Sequence, residues 1–579
     1  MLRKLLIAVA LAALLVSAIA SAASGSQRRS RQESVSTSTL MPGVTYTREV
    51  DFTSRGPIVV DVVTAPKPDG NVYSLAPALS NGTLRGTEKL TQLASRVSAG
   101  ATTVAIDGDY YNRKTGAPTG VLMQDGVLES APAAGRSSLG IDANGALTAA
   151  RLSVAGTWQG SGQRRPLVLN PAAGKGKFAL YTPAYGTATP AESGVVEAVI
   201  GSLPPARPGI PLDGTVTQVA AGGPTRIPPG GAVLVARGAQ STAQLTAEAL
   251  PGQQVEARLS LSPDWSGLPS ALGGGPLLVQ NGKPVFHANE PFDPRQLNSR
   301  QPRGAIGQLA DGRILLVAVE GTNPAYSIGM SSYELAVELS RLGARTAYGL
   351  GSGAPAGIAF DGTLLTRPSS GVEARVSDAL VLSYSGVYAA PPSTSVLSPN
   401  GDGVRDSQTL SYRVARPSNV LATLSGPGGT RVTLVNAAQP PGLQTIDWDG
   451  SRAAEGAWTF TVTATDDRGV TTSAQRTFSL DDTLASLGVT TGSRGLPTAT
   501  FQLTRPATVV IRIERPNGVA VTSLRLGSLA AGTQHATWRG LIGRSRAPRG
   551  RYVVDVVAKS SVGTSSLAVP FSFRPHTRH

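Results

Sequence analysis

At 579 residues the chain is about four times the ~150 that one domain typically takes, so two to four globular units are expected. Hydrophobic residues make up 41% and charged residues 15%, with 67 Gly and 42 Pro, a balance that suits short strands joined by turns and excludes wholesale disorder. The net charge of +15 permits attraction to anionic polymers. With aromatics at 5% and no basic stripe interleaved with them, nucleic acid is not an expected partner, and the absence of cysteine removes disulfides, thiol nucleophiles, Cys-type zinc sites and iron–sulfur clusters.

In chain order, Arg3 and Lys4 precede an apolar run from Leu5 to Ala20, and Ala20-Ser21-Ala22 forms a small-residue cleavage pattern. Residues 1–22 are therefore expected to be a secretory signal peptide, which predicts a secreted or cell-surface protein with no transmembrane segment once it is cleaved. Residues 23–39 read as a basic leader. Thr87-Glu88-Lys89 opens a helical segment with Leu90, Leu93 and Val97 on one face, stopped by Gly100 before a strand from Thr102 to Ile106. That strand runs on into Asp107-Gly108-Asp109, where the period of two puts both carboxylates on one face; such a pair either divides acid and base work or caps turns. Arg313 to Val319 reads as a strand, and Ser331-Ser332-Tyr333-Glu334 is a capping box before a helix striped by Leu335, Leu339 and Leu342 and stopped by Gly343.

Residues 389–395 (Ala-Ala-Pro-Pro-Ser-Thr-Ser) read as a linker. Beyond it the chain repeats: Leu410-Ser411-Tyr412-Arg413-Val414 answers Ala499-Thr500-Phe501-Gln502-Leu503, and Trp448-Asp449-Gly450 answers Trp538-Arg539-Gly540. Short alternating strands in two units point to tandem sandwiches over residues 396–483 and 484–574, with the two tryptophans in equivalent buried positions. Between Pro399 and Asp406, side-chain oxygens at Asn400, Asp402 and Asp406 surround two glycines, which suits either a calcium loop or an Asx-turn loop without metal.

Over about residues 40–390 the ordered segments resemble the phosphodiester glycosidase family, the bacterial relatives of the lysosomal uncovering enzyme. They are Ala105-Ile106-Asp107-Gly108-Asp109-Tyr110-Tyr111, Thr115-Gly116-Ala117-Pro118-Thr119-Gly120, Gly273-Gly274-Gly275-Pro276, Pro302-Arg303-Gly304-Ala305-Ile306-Gly307, Glu320-Gly321 and Ser327-Ile328-Gly329-Met330. The family usually has Asn where this chain has Asp107. Its Asn-Leu-Asp-Gly-Gly-Gly-Ser segment aligns with Gly349-Leu350-Gly351-Ser352-Gly353-Ala354-Pro355, so its acid and its hydroxyl are both gone. The resemblance implies a glycan or anionic envelope polymer as partner, no cofactor in the large domain, and hydrolysis of sugar 1-phosphodiesters. On that reading Asp109 and Glu320 are the catalytic carboxylates, and Arg303 clamps phosphate with Asp107 and Arg136 as further substrate-binding residues. The Ser398-Pro399-Asn400-Gly401-Asp402-Gly403 opening is similar to Ig-like domains of the flagellar hook-capping type. The expected architecture is thus multidomain: an α+β phosphodiester-glycosidase-like domain over 40–388, then two all-β Ig-like sandwiches. The competing expectation is a binding protein whose cleft lost turnover with Gly351.

Overall fold

A computed structural model describes residues 32–286, 288–401, 405–492 and 495–574, so the signal peptide, most of the basic leader, His287 and Asp402 lie outside the described residues. The chain divides into two compact units, one ending at Tyr384 and the other beginning at Ser385.

The first unit is built on an eight-stranded sheet. In chain order its strands are β1 (Gln32–Met41), β2 (Val44–Thr53), β3 (Gly56–Ala65), then β5 (Leu277–Gln280), β6 (Lys283–Pro284), β7 (Arg303–Leu309), β8 (Ile314–Val319) and β9 (Ala344–Ser352), with β4 (Thr102–Asp107) belonging to a second sheet. Their spatial order is β1-β2-β3-β8-β7-β9-β5-β6. β1 begins inside the segment read as leader. β3 and β8 are near-continuous Val, Ile and Leu runs because both of their faces are covered. One face carries Val60, Val62, Ala305, Val317 and Val319, packed against Met330 and against Leu335 and Leu339 of helix α3 (Ser332–Arg341). The capping box read in the sequence forms there: Ser331 Oγ accepts from Glu334 N, and Glu334 Oε2 accepts from Ser331 N at 2.9 Å. Gly343, at φ +90°, ends the helix where a side chain would be strained. The other early helix, α1 (Leu90–Val97), buries Leu90, Leu93 and Ala94 against the β4 sheet. A short helix, α2 (Pro294–Asn298), lies between β6 and β7.

The expected α+β class is corrected. The molecule is nearly all β, with 8% of residues helical and 52% in strands. The two helices whose caps and stripes stand out in the sequence gave helical structure more weight than its share of the chain. The larger omission is a closed seven-stranded barrel made of strands Ser153–Gln159, Arg165–Leu169, Phe178–Tyr181, Val195–Ile200, Leu212–Ala221, Ala232–Arg237 and Gln254–Ser262. Its strands alternate in burial as strands do, for example at Gln254–Ser262, but closure arises from pairing of the first strand with the last, Ser153 opposite Ser262. No local pattern announces a contact between residues so far apart in sequence.

The second unit holds two modules. In the first, a three-stranded sheet (Tyr388–Ala389, Gln408–Val414, Gly442–Trp448) and a five-stranded one share a core around Leu410, Val420, Trp458 and Phe478. In the second, sheets of three and four strands share a core around Phe501, Ile511, Trp538 and Tyr552. Strands Gln408–Val414 and Ser418–Ser425 recur at Pro497–Leu503 and Ala507–Glu514, displaced by 89 residues in both cases. Trp538 is buried, whereas Trp448 is only partly so and stacks on the buried Trp458, ring centroids 4.9 Å apart. Ala389, the first residue of the expected linker, is paired with Tyr412.

Candidate functional site

β4 ends in Asp107, and the chain turns through Gly108 into Asp109 and Tyr110 against the ends of β7 and β9. Gly351 N donates to Gly108 O at 2.6 Å, which fastens the two sheets together at this point. The Asp107 carboxyl is buried between two strands that both present glycine. A Cβ on Gly304 would lie 2.6 Å from its Oδ1, and one on Gly351 would lie 2.6 Å from its Oδ2. Oδ1 accepts from Gly357 N at 3.1 Å, while Oδ2 has no hydrogen-bond partner among the described residues. Burial holds the Asp107 pKa well above the usual carboxylate range. The chain therefore does place a carboxyl group at Gly351, but delivers it from position 107.

Asp109 is buried two residues on. It accepts from the amides of Tyr110, at 2.7 Å, and Gly120, and pairs with Arg136 at 3.1 Å. Burial raises its pKa, opposed by Arg136. Its own amide donates to Asp378 Oδ1 at 2.7 Å, and Asp378, buried beside a second carboxylate, is pushed up to about 7. Arg136 in turn bonds Gly274 O and stacks between two rings, its Cζ 5.0 Å from the Tyr110 centroid and 4.8 Å from that of Phe292. The Tyr110 hydroxyl reaches Ser352 and Gln296 and feels the charge of Arg303.

Arg303 is 3% exposed. Its Nε donates to Met330 O at 2.6 Å, and Nη2 to the carbonyls of Gln296 (2.7 Å), Leu297 (3.2 Å) and Ser299 (3.0 Å). No carboxylate among the described residues forms an ion pair with it, and burial lowers its pKa to about 10. A cavity of about 10 Å³ lies between Arg303, Tyr110, Gly275, Gly351 and Ser352, room for about one water. Outside it a larger cavity of about 320 Å³ runs along Glu290, Leu297 and Tyr333.

Tyr110 thus joins Asp109 and Arg136 to Arg303 and Gly351 at one end of the sheets, whereas the Asp107 carboxyl, against Gly304, lies on the face of β7 opposite to Arg303, and Glu320 does not join Arg303 either. Gly304 pairs with Ala318 and Ala318 with Asp61, so these three share one face; Arg303, opposite Val319, points from the other face toward α3. Glu320 lies with Asp61, where both bond Arg48, at 3.1 and 3.0 Å. Glu320 also accepts from Arg367 N at 2.7 Å, and Tyr46 OH donates to Asp61 at 2.6 Å. Burial, and next the charge of Glu320, push Asp61 up to about 8. Asp61 Oδ2 has no hydrogen-bond partner among the described residues, and the neighbouring Glu320 disfavours its charged form. The sequence reading missed Asp61, whose signal was a lone acid inside a valine run, and missed Phe292 and Asp378, which no motif marks.

At the C-terminal loop, Asp406 Oδ1 accepts from Gly401 N at 2.9 Å, and Asn400 Nδ2 reaches Ser398 Oγ at 3.2 Å. Among the described residues no group of three or more acidic or histidine side chains is disposed to hold a metal; Asp402 lies outside them. No helix among the described residues is long and apolar enough to cross a membrane.

The phosphodiester glycosidase family matches residues 210–383, which include Arg303, Glu320 and Gly351. The SPbeta prophage-derived uncharacterized protein YomE of Bacillus subtilis is 29% identical over 132 residues, 23% of this chain and 20% of that protein. A hypothetical protein from Synechocystis is similar in structure at TM-score 0.51 and 29% identity, over 60% of this chain and 64% of that one. The catalytic domain of zebrafish N-acetylglucosamine-1-phosphodiester alpha-N-acetylglucosaminidase aligns at TM-score 0.33 and 12% identity, over 61% of this chain and 87% of that one. The chain spans about a fifth of the length of the Bacillus protein and under two thirds of the Synechocystis one.

Proposed function

We propose that the chain is an exported hydrolase of phosphodiester-glycosidase type, acting on sugar 1-phosphodiester linkages in glycans or anionic envelope polymers. The observation that carries this reading is Arg303, a buried guanidinium without a carboxylate partner, beside Tyr110 and a second arginine that stacks on Tyr110. Arg303 binds the phosphate oxygens, with Arg136 adding charge across Tyr110. When the anomeric C–O bond of such a diester breaks, the phosphate monoester that leaves requires little proton donation, so neutralising its charge supplies much of the rate. Asp109 holds Arg136 in place. Asp107, neutral when protonated, supplies the carboxyl at the Gly351 position. Glu320 is reassigned by its contacts to holding Arg48.

A second reading, binding without turnover, is favoured by Gly351, which carries no acid, and by the small volume of the cavity. Assay of an N-acetylhexosamine 1-phosphodiester with parent and Arg303→Ala proteins, with binding measured in parallel, separates the two. Hydrolysis that Arg303→Ala abolishes supports the enzyme, binding alone supports the second reading, and neither property in the parent refutes both. The two C-terminal modules serve as Ig-like attachment domains, and Asn400, Asp402 and Asp406 hold calcium. Millimolar calcium should then raise the Tm of the second unit by mass action, and Asp402→Ala should erase the rise.

A further inference from the structure

The segment between β6 and β7 covers Arg303 without burying itself. Every residue from 290 to 299 is partly or fully exposed, and α2 buries no side chain. Polar contacts hold it, among them Gln301 Nε2 to Gln296 O at 3.0 Å and the Tyr110 hydroxyl to Gln296. Glu290 accepts from Ser137 N (2.9 Å), Ser137 Oγ (2.7 Å) and Leu277 N (2.9 Å). Phe292 lies over Arg136. The carbonyls of Gln296, Leu297 and Ser299 accept from Arg303. A segment fixed by polar contacts, with so little apolar burial, opens at a small cost compared with the strands beneath it.

What it covers is a charge left without compensation. The carboxylate whose field reaches Arg303, Glu334, is itself bonded to Arg300. A buried guanidinium satisfied only by neutral carbonyls is held less favourably than one facing an anion, because the anion adds a charge–charge attraction, strengthened away from bulk water, that carbonyls cannot supply. Phosphate oxygens therefore compete well for the positions the three carbonyls occupy.

We propose that residues 290–299 form a strap whose carbonyls stand in for phosphate oxygens on Arg303, and that it lifts when a phosphate monoester or phosphodiester takes the guanidinium, uncovering Tyr110 and Arg136 in the same movement. This rests on the phosphodiester reading above and adds that entry to the site is gated. It also accounts for a cavity of about 10 Å³ where a substrate group must sit.

The absence of cysteine allows a clean reversible lock. A Cβ at Gly135 would lie 3.5 Å from Pro291 Cγ, so Gly135→Cys with Pro291→Cys places two thiols within bridging reach across the strap. Oxidised and reduced forms of one protein are compared, so the strain of Cys at Gly135, φ +75°, is common to both. Inorganic phosphate and an N-acetylhexosamine 1-phosphodiester are the probes. Both should bind at least tenfold more weakly to the oxidised form, and reduction should restore binding. In parallel, the amides of Leu297 and Ser299, bonded to Asp293 and Arg295, should exchange at least tenfold faster in parent protein saturated with phosphate. Arg303→Gln should remove that acceleration. Equal affinity in the oxidised and reduced forms, or strap amides that stay protected while phosphate is bound, overturns the strap and leaves the phosphodiester reading standing. Failure of both probes to bind the parent refutes that reading and the strap with it.

Discussion

Arg48 and Arg303 lie in the same sheet and are solvated in opposite ways. Arg48, on β2, is 25% exposed at its side chain and bonds two buried carboxylates, Asp61 and Glu320. Arg303, on β7, is more deeply buried and meets only backbone carbonyls. The first cluster is balanced in charge: guanidinium, carboxylate, a protonated acid and Tyr46 account for one another. The second retains a charge that nothing among its bonded neighbours cancels. Burial alone does not mark a ligand site; an uncompensated charge at a loosely held surface is a better sign.

The largest effect that would break the contrast is on function. Arg303→Ala should lower phosphodiester hydrolysis by about 100-fold or more, the scale of removing one preorganised charge stabiliser, while costing less than about 1.5 kcal/mol of stability. Arg48→Ala should do the reverse. It leaves Glu320 buried without its cation and should cost about 3 kcal/mol in urea titration; if Arg48→Ala abolished turnover without loss of stability, the two clusters would have exchanged roles.

A smaller effect is expected from Gly351→Asp. Its new Cβ would strike the Asp107 carboxyl and cost about 2 kcal/mol by overpacking, a loss that Asp107→Gly in the same chain should largely recover. If Gly351→Asp alone gained activity and kept its stability, Asp107 could not be the carboxyl occupying that position. The remaining test is in pH dependence. Asp61 titrates near 8 when folded against an ordinary value of 3.8, so the folded state holds a proton the unfolded chain has released. Its contribution is full below about pH 4 and is lost as pH rises through 8. Asp61→Asn should flatten that part of the stability profile, measured by urea titration from pH 4 to 9.

Strand positions were readable where a repeat or a motif supplied register, as at Gln408–Val414 and before Asp107. The segments that carry Asp109 and Arg303 also stand out in the sequence, because both lie in motifs whose order in the chain resembles a known family. What could not be read was parity across paired strands. Arg303 and Glu320 look equivalent as charged residues flanking short β runs, yet only the pairing of Arg303 with Val319 decides that they leave the sheet on opposite sides. The barrel escaped for a related reason, since its closure depends on a pairing across more than a hundred residues. The unpaired state of Arg303 is invisible in sequence, because carbonyl acceptors leave no compositional mark.

The repeat of the two terminal modules, 89 residues apart at Gln408 and Pro497 and 94 apart at Gly456 and Gly550, has a consequence for how the chain is made. Trp458 in the first and Tyr552 in the second occupy matching strands, Gly456–Asp466 and Gly550–Lys559, and each donates to a carbonyl four residues earlier, Ala454 and Pro548. Two units so alike in strand length and spacing can each offer a passable seat for the other's strands while both are open. Synthesis from the N-terminus separates them in time, since the first can close before the second has left the ribosome. Refolding of the full-length chain from denaturant removes that interval and puts both sets of partners in competition at once.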